Sequence, residues 1–554
     1  MRQKYVVLLA LLGFGAVAAD PPPPAVEGKI AVNQAGYVPG AHNRFYPEHA
    51  GTIRLERADT QAVVAEFQID EPALGDELPN ALEPGWYRLI GEGQQSVPFP
   101  VAQQVLTKTI ATLLRAYRFQ HAGVALHDPY TGLMRPAAHL QDGVLAHEDE
   151  INPQGTVIDG RGGWYDAGDF GKYVATTAIT AARLMDASSD LELAGYSTGD
   201  AAMPEMLSEA LIGLDWLGRM QRSDGAFYRK IGGVAWPPLV SPHEDTQTRF
   251  VYGISTPDSA KAVAALAQAS RVFKLRDPLR SERYLAQAQL GWQWLELQPE
   301  QIIEWHEGDD GGSGPYMYNQ WDTQSSLEHD RDDRFWAAVE LYLSTKQSNY
   351  LDYAKRNLPQ QIAIFEWKDP SVLGLWHLQQ SGVEPTLSAS IRQQFLSHCD
   401  GLMKLGAQAP FQISNQRFIW GSNKMVAEEG VLFSYCYRLN SDPNYLAMAW
   451  SQWHYLFGAN PFAQSYVTGV GIKPVRQLHH IWGRAVGVVP PGMMVGGPNQ
   501  DSQAGFAPKG EGMHSYIDDA RDYAVNEFAI DYNASALGLA SLLYGTQYQR
   551  HAAK

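Results

Sequence analysis

The chain has 554 residues and a formal net charge of −17, from 60 acidic and 43 basic residues. This length exceeds that of one ordinary domain and predicts two or more units with a large buried core. Because no lysine or arginine cluster interrupts the acidity, a polyanion would be repelled, which excludes nucleic acid as a partner. The 15 tryptophans and 27 tyrosines are more than a core alone requires, and they leave rings for a binding cleft.

Residues 1–19 have the pattern of a signal peptide. Arg2 and Lys4 precede an apolar run, and small alanines follow it before Asp20. The run is shorter than the ~20 residues that a membrane-spanning helix needs. We therefore expect an exported protein, secreted or periplasmic, that does not bind the membrane and acts as a monomer.

A proline-rich linker at 20–27 leads into a segment, 28–103, that predicts a small β-sandwich. The strand candidates are short, mostly alternating and rich in β-branched or aromatic residues, and they lie at 29–32, 52–55, 63–67 and 86–89. Glycine and proline pairs separate them. We expect this unit to pack against the rest of the chain.

From 104 to 550 the hydrophobic period changes from two to 3.6, which predicts helices. The candidates are 106–119, 173–187, 205–220, 258–273, 282–295, 333–345, 350–365, 389–403, 424–439, 445–457 and 526–543. About a dozen helices without strands between them indicate a mainly α protein with helices packed on helices. A closed ring of helical hairpins fits best, with a cleft formed by the loops at one end.

The stretch 162–173 combines two carboxylates, several glycines and flanking aromatic rings. Asp166 and Asp169 are three residues apart, and the glycines permit tight turns that bring both acids to one small volume. Trp164 would supply an apolar wall for a sugar ring. An Asx-rich turn that caps the following helix explains the same residues, and the stretch alone leaves both interpretations open.

A second unusual stretch, 516–534, contains Glu527 at the head of the last predicted helix, with Asn526 as a candidate N-cap. One explanation for Glu527 is structural, because the helix dipole stabilises a carboxylate in the first turn of a helix. The other explanation is that Glu527 acts as a proton donor. Between Tyr523 and Tyr532 the carboxyl group would be partly desolvated, and its raised pKa would retain a proton for donation.

Metal and disulfide chemistry is only weakly indicated. The acid- and glycine-rich loop 307–314 could hold calcium, but a solvated turn explains it better. Adjacent His479 and His480 should point apart, so at most one should face a ligand, and a metal pair is not expected. Cys399 and Cys436 allow either one disulfide or two buried thiols.

The stretches 162–173 and 516–534 resemble those of the family 9 glycoside hydrolases, inverting cellulases that often carry an N-terminal immunoglobulin-like module. The resemblance extends from Ala31 to Ser541. It implies an (α/α)6 barrel catalytic domain preceded by a small immunoglobulin-like β-sandwich. It also implies hydrolysis of β-1,4-glucan with inversion at the anomeric carbon.

By motif position, the resemblance implies a role for each acid. Asp169 would be the general base that activates water, Asp166 would help to hold that water, and Glu527 would be the general acid. His479 matches a substrate-binding histidine of the family. The further candidates for substrate binding are Trp164, Tyr523, Tyr532 and Arg484, the last standing in for an arginine that is replaced by Ile481.

No cofactor is expected for this chemistry. Relatives with the N-terminal module often carry a zinc site of cysteines and histidine before the first acid motif. Ala122 and Ala138 occupy the cysteine positions here and only His139 is kept, so we do not expect zinc there.

The sequence therefore favours an endo-β-1,4-glucanase that acts on β-glucan or cello-oligosaccharides. An exo-acting β-glucosidase or glucosaminidase on short oligosaccharides is the alternative within the class. A carbohydrate-binding envelope protein without catalysis is the alternative outside it. Binding alone has no use for an acid and a base, so Asp166, Asp169 and Glu527 count against that last hypothesis.

Overall fold

The computed structural model of the protein describes residues 28–196, 202–313 and 329–552. Within these ranges the backbone forms fourteen α-helices and thirteen short β-strands. The predicted signal peptide at 1–19 and the linker at 20–27 lie outside the described residues. Among the helices described, none combines the length and the apolar character needed to cross a bilayer.

Seven strands form the N-terminal region: β1 (Arg44–Phe45), β2 (Gly51–Arg57), β3 (Val63–Ile69), β4 (Asp76–Glu77), β5 (Gly85–Gly91), β6 (Gln94–Gln95) and β7 (Phe99–Val101). β3, β2, β5 and β6 are hydrogen-bonded in that order, β7 also pairs with β5, β1 pairs with β4, and all these pairs are antiparallel. Alternation along β2 and β5 buries Ile53, Leu55, Tyr87 and Leu89 in one core.

The predicted strand at 29–32 is wrong. Lys29 and Ile30 both donate to the carbonyl of Gln95, whereas Ala31 forms an isolated bridge with Tyr46. Because successive residues bond to different segments, no continuous ladder forms. The predictions at 52–55, 63–67 and 86–89 are confirmed, since they lie inside β2, β3 and β5.

The helices are α1 (Val105–Gln120), α2 (Val174–Leu193), α3 (Ala202–Arg219), α4 (Thr256–Phe273), α5 (Pro278–Leu297), α6 (Arg331–Thr345), α7 (Ser348–Arg356), α8 (Ser371–Ser381), α9 (Pro385–Gly406), α10 (Ser422–Asn440), α11 (Pro443–Leu456), α12 (Ile481–Val486), α13 (Tyr523–Asn526) and α14 (Ile530–Ala552). Six strands lie among them: β8 (Leu126–His127), β9 (Met134–Arg135), β10 (Val144–Leu145), β11 (Lys172–Tyr173), β12 (Tyr228–Gly232) and β13 (Phe250–Ile254).

Helix contacts form a closed circuit. α2 packs on α4, α4 on α6, α6 on α8, and α9 contacts both α8 and α10; α10 packs on α14, which returns to α2. α4 is buried almost all round, whereas its partner α5 buries one face. α1, α3, α7 and α11 likewise pack on members of the circuit. The prediction of helices packed on helices is therefore confirmed.

Two predictions in the helical region are wrong, and three helices were missed. The helix at 350–365 ends at Arg356, because Pro359 disfavours helical backbone at the residue before it. α8, α12 and α13 were not predicted. The expectation of helices without strands also fails, since β10, β13, β12 and β11 form a four-stranded sheet in that order.

The last helix also starts later than predicted. It begins at Ile530, and Glu527 lies in extended backbone (φ −81°, ψ 139°) that bridges His479. Asn526 does not cap α14. It accepts a hydrogen bond from the Tyr516 hydroxyl at 2.7 Å and donates to the carbonyl of Ile517, so it fixes the preceding loop.

The N-terminal region is bonded to the helices through buried polar side chains. Gln34 donates to the carbonyl of Ala463 at 2.7 Å and accepts from the N–H groups of Ile472 and Lys473. Asn33 Nδ2 lies 2.9 Å from His454 Nδ1. These bonds satisfy backbone groups on the helical side, so the two regions share one interface.

The two cysteines form a disulfide. Cys399 of α9 is bonded to Cys436 of α10, at a sequence separation of 37. Of the two alternatives that the sequence left open, the structure selects the bridge. It joins neighbouring helices of the circuit.

Candidate active site

Glycines shape the loop that carries Asp166. Gly162 and Gly163 have φ of +80° and +73°, a region that residues with side chains rarely adopt. A Cβ atom on Gly163 would lie 2.6 Å from Trp216. The N–H of Asp166 donates to the carbonyl of Gly171 at 2.8 Å and closes the turn.

Two segments that are distant in sequence meet at this loop. The backbone hydrogen bonds that join them are Ile530 N–H to Asp166 O (2.8 Å), Ile481 N–H to Gly168 O (2.7 Å) and His479 N–H to Asn526 O (2.9 Å). The early loop is thus bonded to the start of α12 and to the start of α14. Backbone bonds of this kind fix the position of side chains more firmly than side-chain contacts do.

The structure brings the three predicted acids together. Glu527 Oε1 accepts a hydrogen bond from the N–H of Gly168 at 3.1 Å, and Asp169 Oδ2 accepts one from the N–H of Gly171 at 3.1 Å. Asp166, Asp169 and Glu527 all line one cavity of about 860 Å³. Acids from opposite ends of the chain therefore share one cleft.

Burial favours the protonated form of these acids. It raises the pKa of Glu527 well above its usual range, and the charge of Asp169 raises it further. Burial also raises the pKa of Asp166 to about 8, with the charge of Asp531 adding to the effect. Burial raises the pKa of Asp169 as well, against the opposing hydrogen bond from Gly171. At neutral pH the cleft therefore retains a transferable proton.

Asp531 is an acid of the cleft that sequence reasoning missed. It lines the cavity, and its Oδ2 accepts a hydrogen bond from Lys424 Nζ at 2.7 Å. Both side chains are buried. Its position within the stretch 516–534, four residues after Glu527, was the available signal. The pair sets the electrostatic field beside Asp166.

Of the two adjacent histidines, His479 lines the cavity and His480 does not face it. His479 Nδ1 lies 2.8 Å from the carbonyl of Ala520, and burial lowers its pKa. His480 is buried, lies 2.9 Å from Gln120, and accepts from the N–H of Gly483 at the start of α12. The two side chains therefore point apart, as predicted, and of the two only His479 lines the cavity.

Tyr523, Tyr532 and Arg484 also line the cavity. The Tyr523 ring lies 5.5 Å from that of Trp420 and 6.0 Å from that of His479, between ring centroids. Arg484 is exposed on α12. The cleft thus has an aromatic wall and a cation at its rim.

The placement of Trp164 corrects the prediction that it binds substrate. Its side chain is fully buried behind the loop, where Nε1 donates to Glu209 at 2.6 Å. Its ring packs 5.5 Å from that of Tyr117. Trp164 therefore supports the loop from the protein interior, where no ligand in the cleft can reach it.

Comparisons with known proteins agree with this geometry. The family model described as glycosyl hydrolase family 9 matches residues 107–540. The chain belongs to glycosyl hydrolase family 9. A xyloglucan-specific endo-beta-1,4-glucanase of Bacteroides ovatus is 29% identical over 583 aligned residues, which cover 98% of each protein. A cellodextrinase of Butyrivibrio fibrisolvens is 27% identical over 88% of this chain and 90% of its own length.

A solved structure has the same fold. The crystal structure of a metagenome-derived glycoside hydrolase family 9 endoglucanase superposes with a TM-score of 0.86 at 34% sequence identity. The match covers 93% of this hydrolase and 99% of the other chain.

Further aromatic rings of this family 9 hydrolase line the cleft and were not assigned from the sequence. They are Tyr173, Trp236, Trp367 and Trp420. Tyr173 is the last residue of the stretch 162–173, and Trp420 directly precedes Gly421, so both lie beside features that the sequence shows. Trp236 and Trp367 lie in irregular segments whose position only the fold reveals.

The acid-rich loop, described over 307–313, forms part of the cleft wall. Lys230 of β12 donates to the carbonyl of Asp309 (2.9 Å), to Asp310 (2.5 Å) and to Ser313 (2.6 Å). The carboxylate of Asp309 instead lies 2.6 Å from His147. The two neighbouring carboxylates are thus directed at different partners, unlike the convergent oxygens of a calcium loop.

At the position considered for zinc, both nitrogens of His139 already have neighbours. Nδ1 lies 2.6 Å from the Tyr165 hydroxyl, and Nε2 lies 3.4 Å from Asp245. Ala122 and Ala138 offer no ligand atom in their side chains.

Proposed function

We propose that this hydrolase is an endo-β-1,4-glucanase that cleaves β-1,4-glucan with inversion of anomeric configuration. The observation that carries the proposal is the meeting of Glu527 with the loop of Asp166 and Asp169 at one cavity. Inverting hydrolysis needs one carboxyl group with a proton and another that activates water. The endoglucanases among its relatives support the same conclusion.

In the proposed mechanism Glu527 protonates the leaving oxygen and Asp169 removes a proton from the attacking water, which Asp166 helps to hold. The raised pKa of Glu527 suits a general acid, since its proton is retained at pH values where an exposed glutamate is ionised. In inverting enzymes the two carboxyl groups stand ~6.5–9.5 Å apart, which leaves room for that water.

We propose that His479, Tyr523, Tyr532 and Arg484 bind substrate. The aromatic rings offer apolar faces to glucosyl units, while the hydroxyl, imidazole and guanidinium groups hydrogen-bond to sugar hydroxyls. Trp420 extends the wall beyond Tyr523 and joins this set. Trp164 is not part of it.

The proposal also concerns the whole chain. We infer that the helix circuit is an (α/α)6 barrel over 104–550 and that 28–103 is an immunoglobulin-like module. Residues 1–19 are a signal peptide followed by a linker at 20–27, and the exported enzyme works as a monomer outside the cytoplasm. Its chemistry needs no cofactor.

A second candidate is the cleavage of short oligosaccharides, which the cellodextrinase relative favours. The two activities differ in where the cleft engages the polymer. An endo-acting enzyme cuts within a chain and lowers the viscosity of carboxymethylcellulose early in the reaction. An enzyme of cellodextrinase type releases small products from short chains and leaves viscosity nearly unchanged.

The test is product analysis on cello-oligosaccharides of graded length, with anomers followed by NMR, alongside carboxymethylcellulose and xyloglucan. We expect the α-anomer to form first, because inversion of a β-linkage yields it, together with an early drop in viscosity. A first-formed β-anomer would reject inversion. Glucose as the sole product, with constant viscosity, would replace the endo assignment with the second candidate.

A further inference from the structure

A cluster of metal-ligating side chains lies on the far side of the acid-rich loop from the catalytic residues. His147, His306 and Asp309 each offer one ligand atom, and these atoms all lie within 4.8 Å of one another. His147 Nε2 is 2.6 Å from Asp309 Oδ1, and His306 Nδ1 is 3.7 Å from Asp309 Oδ2. The histidines border a separate cavity of about 380 Å³.

We propose that these three residues bind a divalent first-row transition cation such as Zn²⁺. Two imidazoles and one carboxylate are ligands that zinc prefers, and three protein ligands leave a fourth position for water. Calcium takes oxygen ligands almost exclusively, so the histidines determine the class of metal. This site involves none of the residues assigned to catalysis.

The surrounding charge favours a cation. Glu148, Glu150 and Glu304 line the same cavity as the two histidines. The N–H of Ile254 donates to Glu304 at 3.1 Å, which fixes that carboxylate at the edge of the cavity. On the buried side of Asp309, Arg229 lies 3.9 Å from its carboxylate, and Lys230 donates to its backbone carbonyl at 2.9 Å.

The ligands are held close to a binding arrangement. Asp309 is buried, and the N–H of His306 donates to its Oδ2 at 2.9 Å. The two imidazole rings lie 3.9 Å apart between centroids, and their side chains stay exposed enough for metal entry. On binding, the His147 to Asp309 distance would open from 2.6 Å to about 3.3 Å, the separation of tetrahedral ligands with bonds of ~2.0–2.1 Å.

A metal here would fix one wall of the substrate cleft. His147 follows β10, whereas His306 and Asp309 belong to the loop that presents Asp310 and Ser313 to the catalytic cavity. Lys230 already bonds to this loop from the cleft side. Cross-linking the loop to the segment after β10 would restrain the same wall from behind.

The experiment uses the untagged full chain after removal of metal by a chelator. Titration with Zn²⁺ followed by calorimetry and elemental analysis should give one tightly bound equivalent per chain, and Zn²⁺ should raise the thermal unfolding midpoint. The double variant His147→Ala/His306→Ala should lose both effects. The exposed His127→Ala variant, which removes a histidine elsewhere on the surface, should keep them.

The readout is metal binding, so it is independent of the proposed glucanase activity. Circular dichroism of the double variant checks that it folds. Absence of a stoichiometric zinc, or an equal zinc content in the wild type and the double variant, would overturn the proposal. Equal competition by Ca²⁺ for the same equivalent would overturn the assigned class of metal.

Discussion

The carboxyl group of Glu527 meets the early acid loop at a residue without a side chain. Gly168 donates its N–H to Oε1, and there is no room for more than hydrogen at its Cα. A Cβ atom there would lie 2.4 Å from the carbonyl oxygen of His479 and 3.0 Å from Glu527 Oε1. The position of the acid thus depends on one glycine.

Gly168→Ala should therefore displace Glu527 or the His479 segment and lower kcat by about 10²-fold, the effect of a misplacement of about 1 Å. Steady-state kinetics on a soluble glucan measures this. Gly401→Ala is the matched control, because a Cβ atom at this helical glycine meets nothing within 4 Å. Unchanged kcat in the Gly168→Ala variant would contradict the argument.

Glu527→Gln and Asp169→Asn should each nearly abolish hydrolysis, by at least about 10²–10⁴-fold, since general acid or base catalysis is lost. Each change keeps the shape of the side chain, so folding should persist. The exposed Glu511→Gln variant tests whether loss of any acid has this effect. Wild-type turnover in either active-site variant would reject the assigned roles.

The raised pKa of Asp166 predicts a dependence of stability on pH. Its folded value of about 8 exceeds the unfolded value, so its contribution is fully present below about pH 4 and is lost as pH rises through 8. The variant Asp166→Asn should not lose this stability as pH rises, because asparagine does not ionise. Relative to wild type, the variant should gain roughly 3–4 kcal/mol of unfolding free energy between pH 5 and pH 8. Urea unfolding at both pH values measures it, and a constant difference would contradict the burial of this charge.

Residue types singled out the three acids as candidates, and the family resemblance then implied their roles; the residues around them were predicted less well. Asp166, Asp169 and Glu527 stand out because three acids among glycines and aromatics need an explanation beyond packing. Trp164 was misplaced because proximity in sequence to an acid does not say which side of the chain faces the cleft. The cluster of His147 with Asp309 was invisible, since 162 residues separate them.

At the scale of elements, a buried ion pair joins α2 to α10, and it runs past α14. Arg183 of α2 passes Gly538 of α14, where a Cβ atom would lie 2.6 Å from Arg183 Cδ. Its guanidinium reaches Glu428 of α10 at 2.6 Å and donates to Tyr435 at 2.8 Å. Both charged side chains are almost fully buried, so Glu428 depends on Arg183 for charge balance, whereas Arg183 also lies 3.8 Å from Asp186.

Arg183→Met should lower the free energy of unfolding by about 3–5 kcal/mol, because Glu428 would remain buried without its cation. The double variant Arg183→Met/Glu428→Leu should recover most of this loss, since no unpaired charge is left. Urea denaturation of both variants measures the difference. A double variant as unstable as the single one would show that packing, and not charge, dominates at this position.

The ends of helices were predicted well where the hydrophobic periodicity is strong. They were predicted wrongly where a single residue determines the end of a helix. α1, α4 and α10 follow their hydrophobic pattern closely. α7 stops early because of Pro359, and the extended segment at Glu527 breaks the predicted last helix. That break is functional, since helical backbone at Glu527 could not form the bridge to His479.

At the scale of the whole molecule, the disulfide between α9 and α10 restrains the unfolded chain. Closing a loop of 37 residues contributes about 4 kcal/mol in the chain-entropy model. Reduction should therefore lower the thermal midpoint of the wild type. The Cys399→Ser/Cys436→Ser variant should have a lower thermal midpoint than the oxidised wild type, and reductant should not change it. A reductant-insensitive wild type would indicate free thiols.

The hydrogen bond between Gly168 and Glu527 spans 359 residues of sequence. During synthesis the early loop leaves the ribosome long before its partner exists, and the circuit closes only when α14 reaches α2 and α10. A chain that ends before Glu527 lacks the proposed general acid, and contacts of such high sequence separation form slowly. In the proposed mechanism, the acid and the base therefore meet only after the last helix has docked on the first helices of the circuit.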